Sequence, residues 1–228
     1  MHTFHDEREN DRVKKEEVLR TAEERIGAIS EEFRRGFNFI KDYPKSVTAF
    51  GSARIKEGEP FYEKARHITG RIAKETGYAV LTGGGPGIME AANRGAFEAG
   101  GKSLGMNITL PHEQQPNPYL TDFIDFYYFF SRKVVLSYAA EAYLFFPGGA
   151  GTMDEFFEIF TLVQTYKIDC CVPLILVGEE FWKPLDSFIR GSMQEKYKTI
   201  GKDDHHFYTI TDDEDLIIEM IKNAPLRK

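Results

Sequence analysis

The apolar positions along this chain change their period several times. Between residues 13 and 43 they are sparse and helically spaced, at Val18, Ile26, Ile29, Phe33, Phe37 and Ile40, in a stretch rich in Glu, Arg and Lys. Pro44 ends that pattern, because proline cannot continue a helix. So thin a stripe buries little by itself, and the helix is expected to lie on the main domain or on another subunit. Beyond it, short apolar runs alternate with longer amphipathic segments. Strands are expected at 47–50, 78–82, 103–108, 123–126, 142–146, 172–177 and 208–211. Helices are expected at 60–76, 87–99, 131–140, 152–166, 181–197 and 212–221, with a loop at 111–118. Pro60 near the start of its helix and Gly77 just past the end follow the usual asymmetry of helix termini. The runs at 79–81, 143–146 and 172–177 are apolar throughout, as central parallel strands are. The alternation predicts an α/β fold: a doubly wound parallel sheet with helices on both faces (residues 46–228), preceded by an N-terminal helical extension (residues 1–45).

Two glycine-rich segments fall where an expected strand runs into a helix, TGGGPGIMEAA at 82–92 and PGGAGTMDEFF at 147–157. Glycine lets backbone approach a ligand closely, and a helix start offers unpaired N–H groups with partial positive charge. Two such junctions suit a phosphate plus a ribose; each alone is also an ordinary tight turn. The dinucleotide fingerprint GxGxxG is absent, since Ile88 or Glu90 stands where its last glycine belongs. AFEAGGKS has Ala96 in place of the first P-loop glycine and runs from helix to strand, the reverse of a P-loop.

Two charged residues open apolar stripes. From Glu155 the i+4 and i+7 positions are Ile159 and Leu162; from Asp154 they are Glu158 and Thr161. Asp154 therefore belongs to the solvent side, and Glu155 borders the buried side. Thr152 and Glu155 have the spacing of a capping box, with Thr152 as N-cap. Either that is the whole role of Glu155, or the carboxylate also works. A helix N-terminus would hold it ionised and suited to stabilising positive charge, such as develops at an anomeric carbon during glycosidic cleavage. Arg132 similarly opens a stripe of Val135, Leu136 and Ala139, as a structural ion pair or as a ligand group. Lys133 beside it is either solvated or a phosphate contact.

Composition narrows the partners. A net charge of −7 over 228 residues argues against a general nucleic-acid or anionic-membrane binder. No apolar run reaches the roughly 18 residues of a membrane span, and the opening MHTFHDEREN lacks a signal-peptide core, so a cytoplasmic location is expected. Cys170 and Cys171 are adjacent, without metal-site or redox spacing, and are expected as small apolar residues entering a strand. No metal site is expected.

Residues Pro147 to Glu155 match PGGxGTxxE in full, Gly83, Gly84 and Gly85 precede Pro86-Gly87-Ile88-Met89, and Arg132-Lys133 opens the helix between the two junctions. AFGSARI and GMNITLPHEQ add to the pattern. On these residues the chain, over roughly 45–225, resembles the Lonely Guy family of phosphoribohydrolases of cytokinin nucleotides and other nucleoside 5′-monophosphates. The resemblance implies a Rossmann-like fold, a homodimer or larger assembly, and hydrolysis of the N-glycosidic bond of a purine nucleoside monophosphate. AMP or an N6-substituted AMP such as a cytokinin ribotide would yield free base and ribose 5-phosphate. It implies Arg132 and Glu155 as the catalytic pair. Gly148, Gly149, Gly151 and Thr152 would hold the phosphate, with Lys133 beside it and Gly84 and Gly85 lining the site. No cofactor is implied. Many members carry the label lysine decarboxylase, yet amino-acid decarboxylation needs an electron sink such as pyridoxal phosphate, and no residue here marks such a site. Phe129-Phe130 stands where plant-like members often have Met-His, which bears on base preference. A non-catalytic carrier of a nucleotide-like ligand, of the molybdenum-cofactor type, is the alternative; it would need the glycine junctions but not the Arg132–Glu155 pair.

Overall fold

The computed structural model describes residues 22–109 and 115–226. Its first element is α1 (Ala22–Lys41), followed by β1 (Ser46–Phe50), α2 (Pro60–Thr76), β2 (Ala79–Thr82), α3 (Ile88–Glu98) and β3 (Ser103–Ile108). Then come β4 (Asp122–Phe126), α4 (Phe129–Ser137), β5 (Ala142–Phe145), α5 (Ala150–Gln164) and β6 (Leu174–Leu176). The last elements are α6 (Glu179–Ser187), a π-helical turn (Phe188–Lys196), a 3₁₀ turn (Asp204–Phe207), β7 (Thr209–Ile210) and α7 (Glu214–Lys222). The expected helix at 13–43 is thus seen from Ala22 on; its earlier part, and positions 111–114 of the expected loop, lie outside the described residues.

The seven strands are parallel and run in the order β4-β3-β2-β1-β5-β6-β7. The chain winds outward from β1 to β4, then returns to place β5 on the free side of β1, with Val47 opposite Ala142 and Phe50 opposite Phe145. The crevice beyond the carboxyl ends of β1 and β5 is therefore the point where strand order reverses, which is where open α/β sheets bind ligands.

Strand side chains alternate between two cores. Val47, Ala49, Val80, Leu144 and Ile175 pack with Ile68 and Ile72 of α2, Ile88 of α3 and Ile217 of α7. Phe50, Leu81, Met106 and Phe145 pack on the other face with Val135 of α4, Phe156 and Ile159 of α5 and Trp182 of α6. Phe33 and Ile40 of α1 join that second core, so the extension does lie on the main domain. Each fully buried aliphatic or aromatic side chain contributes roughly 1.5–3 kcal/mol, which holds the strand ends in place beneath the crevice. The indole N–H of Trp182 donates to the carbonyls of Phe145 and Val177, both at 3.1 Å, tying α6 to the ends of β5 and β6.

Two local expectations change. The expected helix at 181–197 divides at Phe188 into an α-helix with Pro184 inside it and a π-helical turn. Cys170 and Cys171 do not enter a strand: both are exposed, in the turn before β6. The reason is Asp169, whose Oδ1 accepts from the Cys171 N–H at 2.9 Å and whose carbonyl accepts from Val172, so the chain turns before it joins the sheet. No helix among the described residues is long and apolar enough to cross a membrane.

Candidate active site

Three loops meet at the reversal point. The Ser52 N–H donates to the Pro147 carbonyl at 3.0 Å, and the Ile88 N–H donates to the Ser52 carbonyl at 2.9 Å. The ends of β1, β2 and β5 are thereby stitched into one rim. Gly87 is required in it, since φ is +73° and a Cβ would overlap the Ser52 carbonyl. Above the rim lies a cavity of about 560 Å³ between the β1 loop, Gly83, α4 and the start of α5. A second cavity of about 120 Å³ opens beside it toward Gly84, Gly85 and Asn107, and Gly83 and Arg132 border both.

Helix α5 begins two residues earlier than its sequence suggests. Gly149, extended at φ −91° and ψ −157°, is the N-cap, and the first intrahelical bond runs from Met153 N–H to the Gly149 carbonyl at 3.1 Å. Thr152 is therefore the third helical residue and makes no side-chain cap; the capping-box expectation is corrected. The N–H groups of Ala150, Gly151 and Thr152 precede the first helical bond, and all three residues line the larger cavity. The glycines differ in role. A Cβ on Gly149 or Gly151 would stand in open space, whereas one on Gly148 would overlap the buried Thr152 side chain. Gly148 makes room for Thr152 and is not among the cavity-lining residues.

Arg132 of α4 and Glu155 of α5 face the same cavity. Among the described residues, Arg132 Nε and Glu155 Oε2 are buried without a hydrogen-bond partner, and neither residue forms an ion pair within 4.0 Å. Buried, unpartnered polar atoms cost free energy, so the pair calls for an explanation. Burial pushes the Glu155 carboxyl up from its ordinary 4.5 to about 7, against the pull of Lys133 and Arg132. Burial likewise lowers the Arg132 guanidinium from its ordinary range, opposed by Glu155. The expectation that the helix terminus keeps Glu155 firmly ionised is thus corrected. As the sixth helical residue it lies beyond the first turn, where the dipole acts, and desolvation wins. Lys133 is not among the cavity-lining residues, although its partner Asp154 is: its Nζ bonds Asp154 Oδ1 at 2.7 Å and lies 3.5 Å from Glu158 Oε2, clamping α4 to α5.

Gly83 is bare because the Arg132 guanidinium and Met89 Sδ occupy the space a Cβ would take. Gly84, at φ +74°, lies against the Asn107 side chain. Behind these glycines runs a polar network that sequence reasoning missed. Asn117 Nδ2 donates to the carbonyls of Gly84 and Gly85, both at 3.2 Å, and to Asn93 Oδ1 at 2.9 Å. Thr82 Oγ1 donates to Asn93 Oδ1 at 2.6 Å and accepts from the Gly84 N–H at 2.9 Å. Asn107 sends Nδ2 to Asp125 at 3.1 Å and keeps a buried Oδ1 without a partner beside the smaller cavity. Asn107 among the buried positions of β3, and Asn93 in the apolar face of α3, are the signals the sequence offers.

Comparison with known proteins bears on the family and the fold. A family model described as possible lysine decarboxylase matches residues 89–221. The cytokinin riboside 5′-monophosphate phosphoribohydrolase of Rhodococcoides fascians is 28% identical over 163 residues, covering 68% of this chain and 79% of that protein. A pyrimidine/purine nucleotide 5′-monophosphate nucleosidase of Escherichia coli K12 is 27% identical over 205 residues, covering 83% of this chain but 43% of that protein, so this chain matches less than half of that relative's length. Among solved structures, the molybdenum cofactor binding protein of Rippkaea orientalis superimposes with a TM-score of 0.56 at 19% identity, covering 78% of this chain and 96% of that one. The molybdenum cofactor carrier protein of Chlamydomonas reinhardtii gives 0.54 at 20% identity, covering 79% and 97%; at such identities the likeness is one of fold. With the family model spanning more than half of the chain and both named relatives at the level of nucleotide nucleosidases, the chain belongs to the Lonely Guy family, whose model bears the description possible lysine decarboxylase.

Proposed function

We propose that this chain hydrolyses the N-glycosidic bond of a purine nucleoside 5′-monophosphate, AMP or an N6-substituted relative, to free base and ribose 5-phosphate. The observation that carries the reading is Glu155: a half-buried carboxyl with an unpartnered oxygen, facing Arg132 across the cavity into which the start of α5 opens. The free N–H groups of Ala150, Gly151 and Thr152 would hold the 5′-phosphate. Phosphate binding would then fix the ribose against Glu155, spending remote binding energy on position. Phe129, exposed at the cavity edge, offers a ring on which the base can lie.

In the chemical step the C1′–N bond breaks with its electron pair on the base, and the oxygen of a water bonds C1′. Ionised Glu155 stabilises the positive ribosyl group and takes one proton from that water. The departing base nitrogen is protonated from solvent, and Glu155 returns its proton to solvent, so the carboxylate is regenerated and the products are neutral base and ribose 5-phosphate. A pKa of about 7 suits this work, because a general base is most effective when its pKa lies near the working pH. Arg132 steadies the Glu155 carboxylate or the ribose hydroxyls. The scheme calls on no metal or cofactor. Decarboxylation of an amino acid through a Lys133 Schiff base is disfavoured, since Lys133 is engaged by Asp154 and Glu158 and is not itself among the cavity-lining residues.

The structural neighbours, a molybdenum cofactor binding protein and a molybdenum cofactor carrier protein, make a carrier of that kind the second reading. A carrier would use the cavity and the glycine loops, but it gives no reason for the unpartnered Arg132 and Glu155. Incubation with AMP, other nucleoside monophosphates and N6-isopentenyl-AMP, followed by assay for free base, separates the two. Release from at least one supports the enzyme; tight binding with no release from any supports the carrier. Gly83→Ala is expected to displace the Arg132 guanidinium, whose flexible end can move aside. Turnover should fall ~10- to 100-fold while the melting temperature changes by only a few degrees. Unfolding of that variant, or wild-type turnover, would show that Gly83 does not act through Arg132.

A further inference from the structure

The N-cap residue of α4, Tyr128, has no side-chain cap of its own. That helix nonetheless carries the Arg132 guanidinium on its fourth residue, so its first turn must be held by something else. The carboxylate that meets it comes from the N-terminal extension. Glu32 of α1, 9% exposed, accepts from the Tyr127 N–H at 2.6 Å with Oε1 and from the Tyr128 N–H at 3.3 Å with Oε2. The Ser131 hydroxyl also donates to Oε2 and lies 2.9 Å from the Tyr128 carbonyl. In a capping box, the side chain that reaches back to the N-cap N–H belongs to the third helical residue. Here the third residue is Ser131, too short to reach alone, and Glu32 completes the bonds from 95 to 99 positions away in the chain. A carboxylate at that end also complements the helix dipole.

Packing aligns α1 for this task. Gly36, one turn after Glu32, sits so close to α4 that an added Cβ would come within 2.7 Å of a Val135 methyl. The Phe33 and Phe130 rings pack with centroids 6.4 Å apart. Glu32, Phe33 and Gly36 thus lie on one face of α1, and that face holds the start and the middle of α4. Between the two fixed points stands Arg132.

We propose that Glu32 is a positioning residue: it caps α4 from the extension and thereby sets the place of Arg132 and Phe129 at the cavity. This rests on the glycosidase reading for its kinetic consequence but not for its structural one, and the test separates them. In Glu32→Ala, hydrogen exchange of the amides at 127–132 should speed up ~10-fold or more while α2 keeps its protection. Turnover per folded molecule should fall ~10- to 100-fold with KM changed less than about threefold, because an ångström of misplacement acts on the reacting geometry. Glu32→Gln, which keeps one acceptor oxygen, should recover part of both effects. Unchanged exchange at 127–132, or wild-type turnover by folded Glu32→Ala, would overturn the proposal. If the wild-type protein releases base from no nucleotide, the glycosidase reading alone fails, and the exchange measurement still decides the role of Glu32.

Discussion

Glu155→Gln is expected to abolish base release and, at the same time, to make the unliganded protein more stable at pH 8. Loss of a general base costs ~10²- to 10⁴-fold, and loss of the charge facing the ribosyl group adds to it. The stability effect follows from the same burial. The folded-state pKa of Glu155, about 7, lies above its ordinary 4.5, so the folded protein binds more protons than the unfolded chain between those values. The stability contribution is therefore full below about pH 4.5 and is lost as the pH rises through about 7. Above that the ionised carboxylate is a standing cost. Because the residue is only half-buried and solvent screens it, that cost is on the order of 1–2 kcal/mol. Glutamine does not titrate, so urea denaturation should show the variant more stable than wild type at pH 8 and the difference shrinking at pH 5. Equal turnover, or a variant less stable at pH 8, would refute the role given to Glu155.

Arg132→Met should lower turnover ~10²-fold or more near neutral pH, by removing a preorganised charge from a water-poor site. It should also move the pH profile. In the wild type kcat/KM should rise with pH as Glu155 of the free enzyme ionises, with an apparent midpoint near 7. The positive charges of Lys133 and Arg132 both hold that midpoint down against desolvation, and the variant removes that of Arg132. Without it the midpoint moves up, so the variant should suffer more at pH 6.5 than at pH 9. Methionine keeps much of the side-chain volume, which limits the packing change. Arg132→Lys should fall between, since a lysine keeps the charge but not the planar fork. A variant whose profile keeps the wild-type midpoint would show that Arg132 and Glu155 are not coupled.

Much of this was legible along the chain because the determinants are local. Apolar runs such as that at 143–146 mark central strands, and the glycine clusters at 83–85 and 147–151 mark where those strands end. The inward turn of Glu155 was readable from Ile159 and Leu162, and its buried Oε2 agrees. The misreadings come from tertiary effects. Thr152 has the better N-cap side chain, yet Gly149 takes the position and the helix begins at Ala150. Helix-terminus charge, the determinant visible in the sequence, is outweighed at Glu155 by desolvation on burial. Lys133 meets Asp154 on another helix, Asn117 holds Gly84 from 33 positions away, and Glu32 holds Tyr127 from 95. No period or motif encodes such pairings.

The most direct measurement is the product balance of wild-type protein with a purine nucleoside 5′-monophosphate that it turns over, with the matching unphosphorylated nucleoside as control. The account predicts free base and ribose 5-phosphate in equal amounts, no inorganic phosphate, and little reaction of the nucleoside, because the phosphate anchored at Ala150, Gly151 and Thr152 positions the ribose against Glu155. Release of inorganic phosphate with an intact nucleoside, or equal turnover of nucleotide and nucleoside, would contradict it.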